Sequence, residues 1–316
     1  MVSLWKVDAN LKHKIRMNRQ TWLITGSTGL VGQAMTEKLL QDGHVVHALN
    51  RRLTPEISPN LKGFAWDPRN NRIDEDALKG VDVVLHLAGA SVGQRWTKRQ
   101  KRAILDSRVQ GTTLLMRSLQ DANFQGTILQ ASAIGIYEES HEPLNESSAL
   151  GSDFLAEVVK AWEAAASNHK PEHARLVFLR LGIVLAPDGG TLQKLIPVYR
   201  AGLGAPLASG NQWMSWIELG DALNAMRWCA NNSSVAGPVN LTSPHPTPNR
   251  MFSQALAQAL RRPHWAPRVP AWALRLMFGE MSSVMLQSQR ILPQRLTEGE
   301  FQWQAPDLEV ALAHCI

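Results

Sequence analysis

Two cysteines in 316 residues, Cys229 and Cys315, exclude a disulfide scaffold and a cysteine-ligated zinc site, since both need several closely spaced thiols. Such scarcity fits a reducing compartment, and the cytoplasm is the expected location. No apolar run approaches the roughly 18 residues of a membrane span. The first twenty residues hold five Lys/Arg against one acid and lack the apolar core of a signal peptide. Tyrosine is also scarce: Tyr137 and Tyr199 are the whole supply, so any mechanism that needs a phenol has two candidates. Nothing repeats at a fixed period and nothing is low-complexity, which excludes repeat arrays and disordered linkers.

What is present is globular: 44% hydrophobic residues with 19% charged. The net charge of +6 is local, carried by the N-terminal residues, by Arg51 and Arg52, and by the run RWTKRQKR at 95–102. No nucleic-acid recognition motif accompanies it. The expected partner is a small molecule, with no nucleic acid and no membrane, for a monomer or a homodimer. Arg95 and Arg108 are candidates for holding phosphate. His169 and His173 stand four apart, but Pro171 lies between them and no third ligand is near, so no metal site is expected.

Strand-like runs at 21–25, 45–49, 64–66, 81–88, 127–132 and 174–181 alternate with helical patterns near 30–41, 97–121 and 153–168. Buried apolar strands separated by helices predict an α/β fold, a Rossmann-like doubly wound parallel sheet. After about residue 185, Gly and Pro punctuate the chain, and helices are expected near 219–231, 249–261, 270–278 and 307–314. We read residues 1–18 as an extension without an assigned role. Residues 19–185, with returning segments near 215–242, form the dinucleotide-binding domain, and residues 186–316 a smaller α+β lobe on its substrate side.

The most specific stretch is TWLITGSTGLVGQAM. A strand ends at Thr25, Gly26, Gly29 and Gly32 follow at G-x-x-G-x-x-G spacing, and a helix begins at once. Between strand and helix, such glycines allow a tight turn, a close approach of backbone N–H groups to a pyrophosphate, and close helix–strand packing. Thr28, Leu30 and Val31 complete the loop. About twenty residues on, an NAD site places an acid on the ribose 2′-hydroxyl. Here Asn50, Arg51 and Arg52 stand instead, with no acid before Glu56. A guanidinium suits a 2′-phosphate, so NADP(H) is expected over NAD(H).

These residues, with WDP at 66–68, HLAG at 86–89, SR at 107–108, LRLGIVLAPDGG at 179–190, GLGAPLASGNQWMSWIELGD at 202–221 and LPQRL at 292–296, make the chain resemble the extended short-chain dehydrogenase/reductases. More narrowly, it resembles the epimerase-like group of the NAD-dependent epimerase/dehydratase superfamily, whose C-terminal domain, here about 265–313, has no assigned function. The resemblance covers about 17–316. It implies cofactor contacts at Asn50, Arg51, Asp67, Leu87, Ala88, Gly89, Ala103, Arg108 and Ile183, and a catalytic-region serine at Ser132.

The sequence departs from that pattern where proton chemistry is expected. Ordinary members carry Tyr-x-x-x-Lys on the helix that here reads GSDFLAEVVKAWEAAA, the ammonium lowering the phenol's pKa. With Glu163 aligned to the acid that commonly follows the motif, Leu155 takes the tyrosine place and Val159 the lysine place. Lys160 lies about 100° away around the helix. Leu155 and Val159 are expected to form an apolar wall, with Ser132 or Tyr137 as candidate catalytic groups. Glu218 replaces a common histidine, Glu138 replaces a glycine, and Trp213 and Trp216 are candidates for lining a substrate pocket. The expected protein is an oxidoreductase or epimerase with a non-standard proton donor, acting on a small substrate such as a nucleotide sugar, or else an NADPH-binding regulatory protein without turnover.

Overall fold

Alternate residues of the strands sort onto two opposite faces, and this makes the sheet. Trp22, Ile24, Val46, Leu85, Leu129 and Val177 pack one way, while Leu23, Leu49, Val84, Ile128 and Phe178 pack the other. A sheet buried on both faces is the parallel kind. The structure, a computed structural model, describes residues 19–51 and 58–316. The expected extension at 1–18, together with Arg52 and Glu56, lies outside these residues.

The main sheet comprises β1 (Thr21–Thr25), β2 (Val45–Asn50), β3 (Leu61–Asp67), β4 (Arg72–Ile73), β5 (Val83–His86), β6 (Thr127–Ala133), β7 (Arg175–Leu181) and β8 (Gly237–Leu241). Its order is β8-β7-β6-β5-β1-β2-β3-β4, all parallel except the short edge strand β4. Against one face lie α1 (Leu30–Gln41) and, from later in the chain, the helix Leu219–Asn231; against the other lie α2 (Lys98–Asp121) and α3 (Phe154–Asn168). The expected α/β class and its helices are present. Strand β3 begins earlier than the sequence suggests, because Lys62 and Gly63 interrupt the apolar signal although both pair with β2.

Chain order reverses at β1, whose neighbours are β2 and β5. A crevice therefore opens between the carboxyl ends of β1 and β5, the place where doubly wound sheets bind ligands.

The second lobe has its own core, in which Leu185, Trp216, Phe252, Leu256, Leu308 and Leu312 are fully or almost fully buried. It contains α4 (Gly190–Arg200), α6 (Asn249–Ala259), α7 (Ala271–Phe278) and α8 (Leu308–Cys315), while α5, the helix Leu219–Asn231, packs on the sheet. Helix α4 is not apparent in the sequence because Pro197 sits inside it. Several ties join the lobes, among them a strand pairing and a buried carboxylate. Residues 289–291 pair in parallel with 140–144, and the buried Asp221 accepts backbone N–H bonds from Gln304 and Ala305 at 2.7 and 2.9 Å.

Candidate dinucleotide site and the network beside it

Gly26 has φ +72°, and a Cβ there would lie 3.1 Å from the backbone of Leu87 and Ala88. At Gly32 a Cβ would stand 2.2 Å from the Gly26 carbonyl oxygen, so a side chain at either place would close the turn. Helix α1 begins after Gly29 with no side chain capping its first N–H groups. Helices α2, α3 and α5 are capped by Thr97, Asp153 and Glu218, while α4, α6, α7 and α8 also lack a capping side chain, so it is the glycine turn before it that sets α1 apart. Uncapped N–H groups and the positive helix end fit a pyrophosphate. The residues present therefore fit a dinucleotide.

Beneath this loop runs a buried chain of polar groups. The backbone N–H groups of Leu87 and Ala88 both donate to Thr25 Oγ1, which lies 2.5 Å from His86 Nδ1. His86 Nε2 meets Thr112 Oγ1 at 3.0 Å, and Trp162 Nε1 donates to that same oxygen. The pattern is satisfied when Thr25 donates to His86 and a neutral His86 donates through Nε2. Complete burial pushes the His86 pKa down to about 3.

The strand ends place the expected contacts on one edge. Asn50 Oδ1 accepts from Ser27 Oγ, which ties the end of β2 to the glycine loop. Exposed Arg51 lines a cavity of about 700 Å³ with Trp66, Asp67, Arg117, Ser118 and Asp121. Asp67 accepts from Asn70 Nδ2 and Arg69 N; the Asn70 bond comes first in holding its carboxyl below the usual range. Arg108 Nη1 donates to the Ala90 and Ile104 carbonyls, and its guanidinium lies over the Trp162 ring and beside Gly89. It has no ion-pair partner among the described residues, and burial pushes its pKa down to about 10. Thr28 is exposed, Leu30, Val31 and Ala103 are half-buried, and Ile183 donates its N–H to the Ser215 carbonyl.

The neighbouring strand end is different. Ser132 donates to Glu163 Oε1 at 2.5 Å, and Glu163 forms a two-pronged pair with Arg180 at 2.9 Å on each arm. Arg180 Nη1 in turn donates to the Tyr137 hydroxyl, which donates to Asn240 Oδ1 at 2.7 Å. Tyr137 is 1% exposed, and burial raises its pKa above the ordinary phenol value. The protons of both candidate catalytic hydroxyls are thus committed inside the protein.

Leu155 and Val159, expected to form one apolar wall, are placed differently. Leu155 is half-buried against Gly135 and within the cluster of Trp96, Phe154, Phe278 and Met281. Val159 is drawn into the core with Ile134, Ile136, Tyr137 and Ile291. Lys160 pairs instead with Glu157. Glu218 receives the Asp221 N–H as a helix cap, and Trp216 is core while Trp213 is half-buried under Arg290. The run at 95–102 is used by the fold: Thr97 caps α2, Trp96 is buried, Lys101 pairs with Glu280 and Arg102 with Asp106.

Arg117, Glu163, Arg180 and Asn240 were missed by the sequence reading. A signal existed for Arg180, and for His86 beneath the glycine loop. Arg180 interrupts the apolar strand LVFLRL and His86 interrupts VVLHLA, and a polar residue in a strand buried on both faces requires a partner.

A parallel sheet reversing at β1 over an uncapped glycine turn, with a second lobe beside the carboxyl edge, defines a dinucleotide-binding protein of the extended short-chain dehydrogenase/reductase type. The chain belongs to the NAD dependent epimerase/dehydratase family, which matches residues 22–242, and residues 269–315 match a domain of unknown function, DUF1731. It is similar to epimerase family protein SSP1921 of Staphylococcus saprophyticus, 36% identical over 92% of this chain and 97% of that protein. It is likewise similar to YfhF of Bacillus subtilis, 34% identical over 93% and 98%. Among solved structures it resembles human epimerase family protein SDR39U1 with NADPH, with TM-score 0.82 and 27% identity over 93% of this chain and 98% of that one.

Proposed function

We propose that the chain is an NADP(H)-dependent oxidoreductase or epimerase acting on a small substrate, in the manner of nucleotide-sugar enzymes but without their tyrosine–lysine relay. The observation that carries the cofactor choice is Arg51: the chain ends β2 with Asn50 and an exposed arginine, which faces a cavity shared with Asp67 and Arg117. A guanidinium there attracts a 2′-phosphate. The related human structure, solved with NADPH, supports the reading. The bound dinucleotide would supply hydride chemistry. The chain's own part is to cradle the pyrophosphate at Gly26–Gly32, to place cationic Arg108 beside Gly89, and to cover the reacting face with Leu155. A proton would come from solvent, since Ser132 and Tyr137 spend theirs on Glu163 and Asn240. Both cysteines are free and buried, which suits a reducing compartment such as the cytoplasm.

The test is a pair of dissociation constants. NADPH is expected to bind more tightly than NADH, and Arg51→Ala to narrow the gap by roughly 1.5–3 kcal/mol, the range for a charge-assisted bond. Equal constants in the unmodified protein would remove the assignment.

A second reading is favoured by the closed network itself: an NADPH-binding regulatory protein without turnover. A panel of sugar nucleotides, aldehydes and quinones assayed with NADPH separates the two. Turnover of a sugar nucleotide at the ordinary scale of about 1–10³ per second would select the enzyme and reveal a competent acid. Tight NADPH binding with no turnover would select the regulator.

A further inference from the structure

Helix α7 buries Leu274 and leaves Trp272, Leu276 and Met277 at 69%, 71% and 55% exposure. Trp265, just before it, is 71% exposed, and so large an exposed aromatic surface needs a reason. The backbone bridge between Leu207 and Val269 holds the loop carrying Leu203, itself 62% exposed, beside this segment. The charges are of one sign. From residue 261 to residue 279 the chain has Arg261, Arg262, Arg268 and Arg275 and no acid, and all four arginines are exposed. Trp272 and Leu276 stand one turn apart on one face, with Arg275 beside them.

We propose that this face is a peripheral membrane-docking surface, and that its occupant is an anionic lipid bilayer. Indole rings settle at the level of the headgroups, Leu276 and Met277 supply apolar area for shallow insertion, and guanidinium groups attract anionic phosphates. The charge argues against a second copy of the chain, because a two-fold contact would press the arginines of one face against those of the other. No described helix is long and apolar enough to cross a membrane, so the contact lies on the surface. Phe278, the last residue of α7, and Met281, just after it, pack in the same cluster as Leu155 and Trp96. Docking would therefore bring the apolar side of the candidate site next to the lipid.

The test is co-sedimentation of the full chain with vesicles of phosphatidylcholine alone or containing phosphatidylglycerol. Binding is expected to the anionic vesicles only, and to fade as salt shortens the Debye length from about 30 Å at 0.01 M to about 3 Å at 1 M. Arg268→Gln with Arg275→Gln should weaken partitioning about 25-fold, at roughly fivefold per charge. Trp265→Ser with Trp272→Ser should abolish it, while NADPH binding, which checks the fold, stays unchanged. Absence of binding at low salt would overturn the proposal. So would undiminished binding by the tryptophan pair, which would assign the attraction to the basic N-terminal residues. A dimer in light scattering that Leu276→Asp dissolves, or capture by polyglutamate without vesicle binding, would reassign the face to a protein.

Discussion

Two strand ends of one sheet, with only β5 between them, have been put to opposite uses. At β1 the polar groups are left open: the helix that follows has no capping side chain, and the nearby Arg108 has no ion-pair partner among the described residues. At β6 the groups bond to one another in a chain, from Ser132 through Glu163, Arg180 and Tyr137 to Asn240. Open donors and unpaired cations cost stability unless a ligand meets them, whereas a satisfied network stabilises and specifies one packing. The first end is shaped for binding and the second for holding the fold together. A family whose chemistry normally sits at the second end has here kept the first intact.

The strongest way to break that contrast is to open the closed end. Glu163→Ala leaves Arg180 as an uncompensated charge in a site where the two side chains are 6% and 13% exposed. The expected loss is about 3–5 kcal/mol of folding stability, the range for removing one partner of a buried pair, read by denaturant unfolding of the cofactor-free protein. NADPH affinity should hold within roughly twofold, as for sites that share no partners. A collapse of NADPH affinity in protein that is still folded would mean that the two ends act as one unit.

Acid probes the chain under the glycine turn. The His86 pKa is about 3 in the folded protein against 6.5 for the free side chain, so between those values the unfolded state holds more protons. Stability from this group is whole above about pH 6.5 and falls as pH drops, by up to about 1.4 kcal/mol per unit. Half-buried His44 and buried His47, also lowered first by burial, act in the same direction, and Asp221, raised by burial, opposes them. The informative quantity is therefore the difference in slope between the protein and His86→Gln. Between pH 6.5 and 5 the variant should lose about 1.5–2 kcal/mol less than the parent. Parallel curves would show that His86 titrates normally.

The binding end was legible in the sequence because its signals are local. Three glycines at fixed spacing, a strand before them and a helix after them occupy a dozen residues. The arginine that bears on cofactor choice directly follows the next strand. The closed end was legible only by its losses. The absence of Tyr-x-x-x-Lys could be read, but the replacement network draws on β6, α3, β7 and β8, and its members stand as far apart as Ser132 and Asn240. Nothing in the spacing joins them until the sheet order does. Ser132 and Tyr137 were chosen as candidate acids for the same reason: a sequence gives a hydroxyl's position along a strand but not the partner that has taken its proton. The exposed aromatic face was hidden in a similar way, since AWALRLMF reads as ordinary core helix until only Leu274 proves to be buried.

The smallest expected effect concerns the helix that lost the relay. Restoring tyrosine and lysine together would place the lysine at Val159, among Ile134, Ile136, Tyr137 and Ile291. An ammonium there would be desolvated, and none of these neighbours carries an acid to partner it. Leu155 is the tolerant half, half-buried beside Gly135, where a longer ring can extend from the cluster. Leu155→Tyr should therefore change stability by less than about 1 kcal/mol, as substitutions at partly exposed sites usually do. It should also leave NADPH affinity unchanged and add no turnover of sugar nucleotides, because a phenol without its lysine keeps a pKa near 10 and gives up its proton poorly at neutral pH. The readout is the rate of NADPH oxidation against pH. A new rate that rises and then falls around a phenol pKa well below 10 would mean that a cation already reaches this position, and the open and closed ends would then have to be regarded as one site.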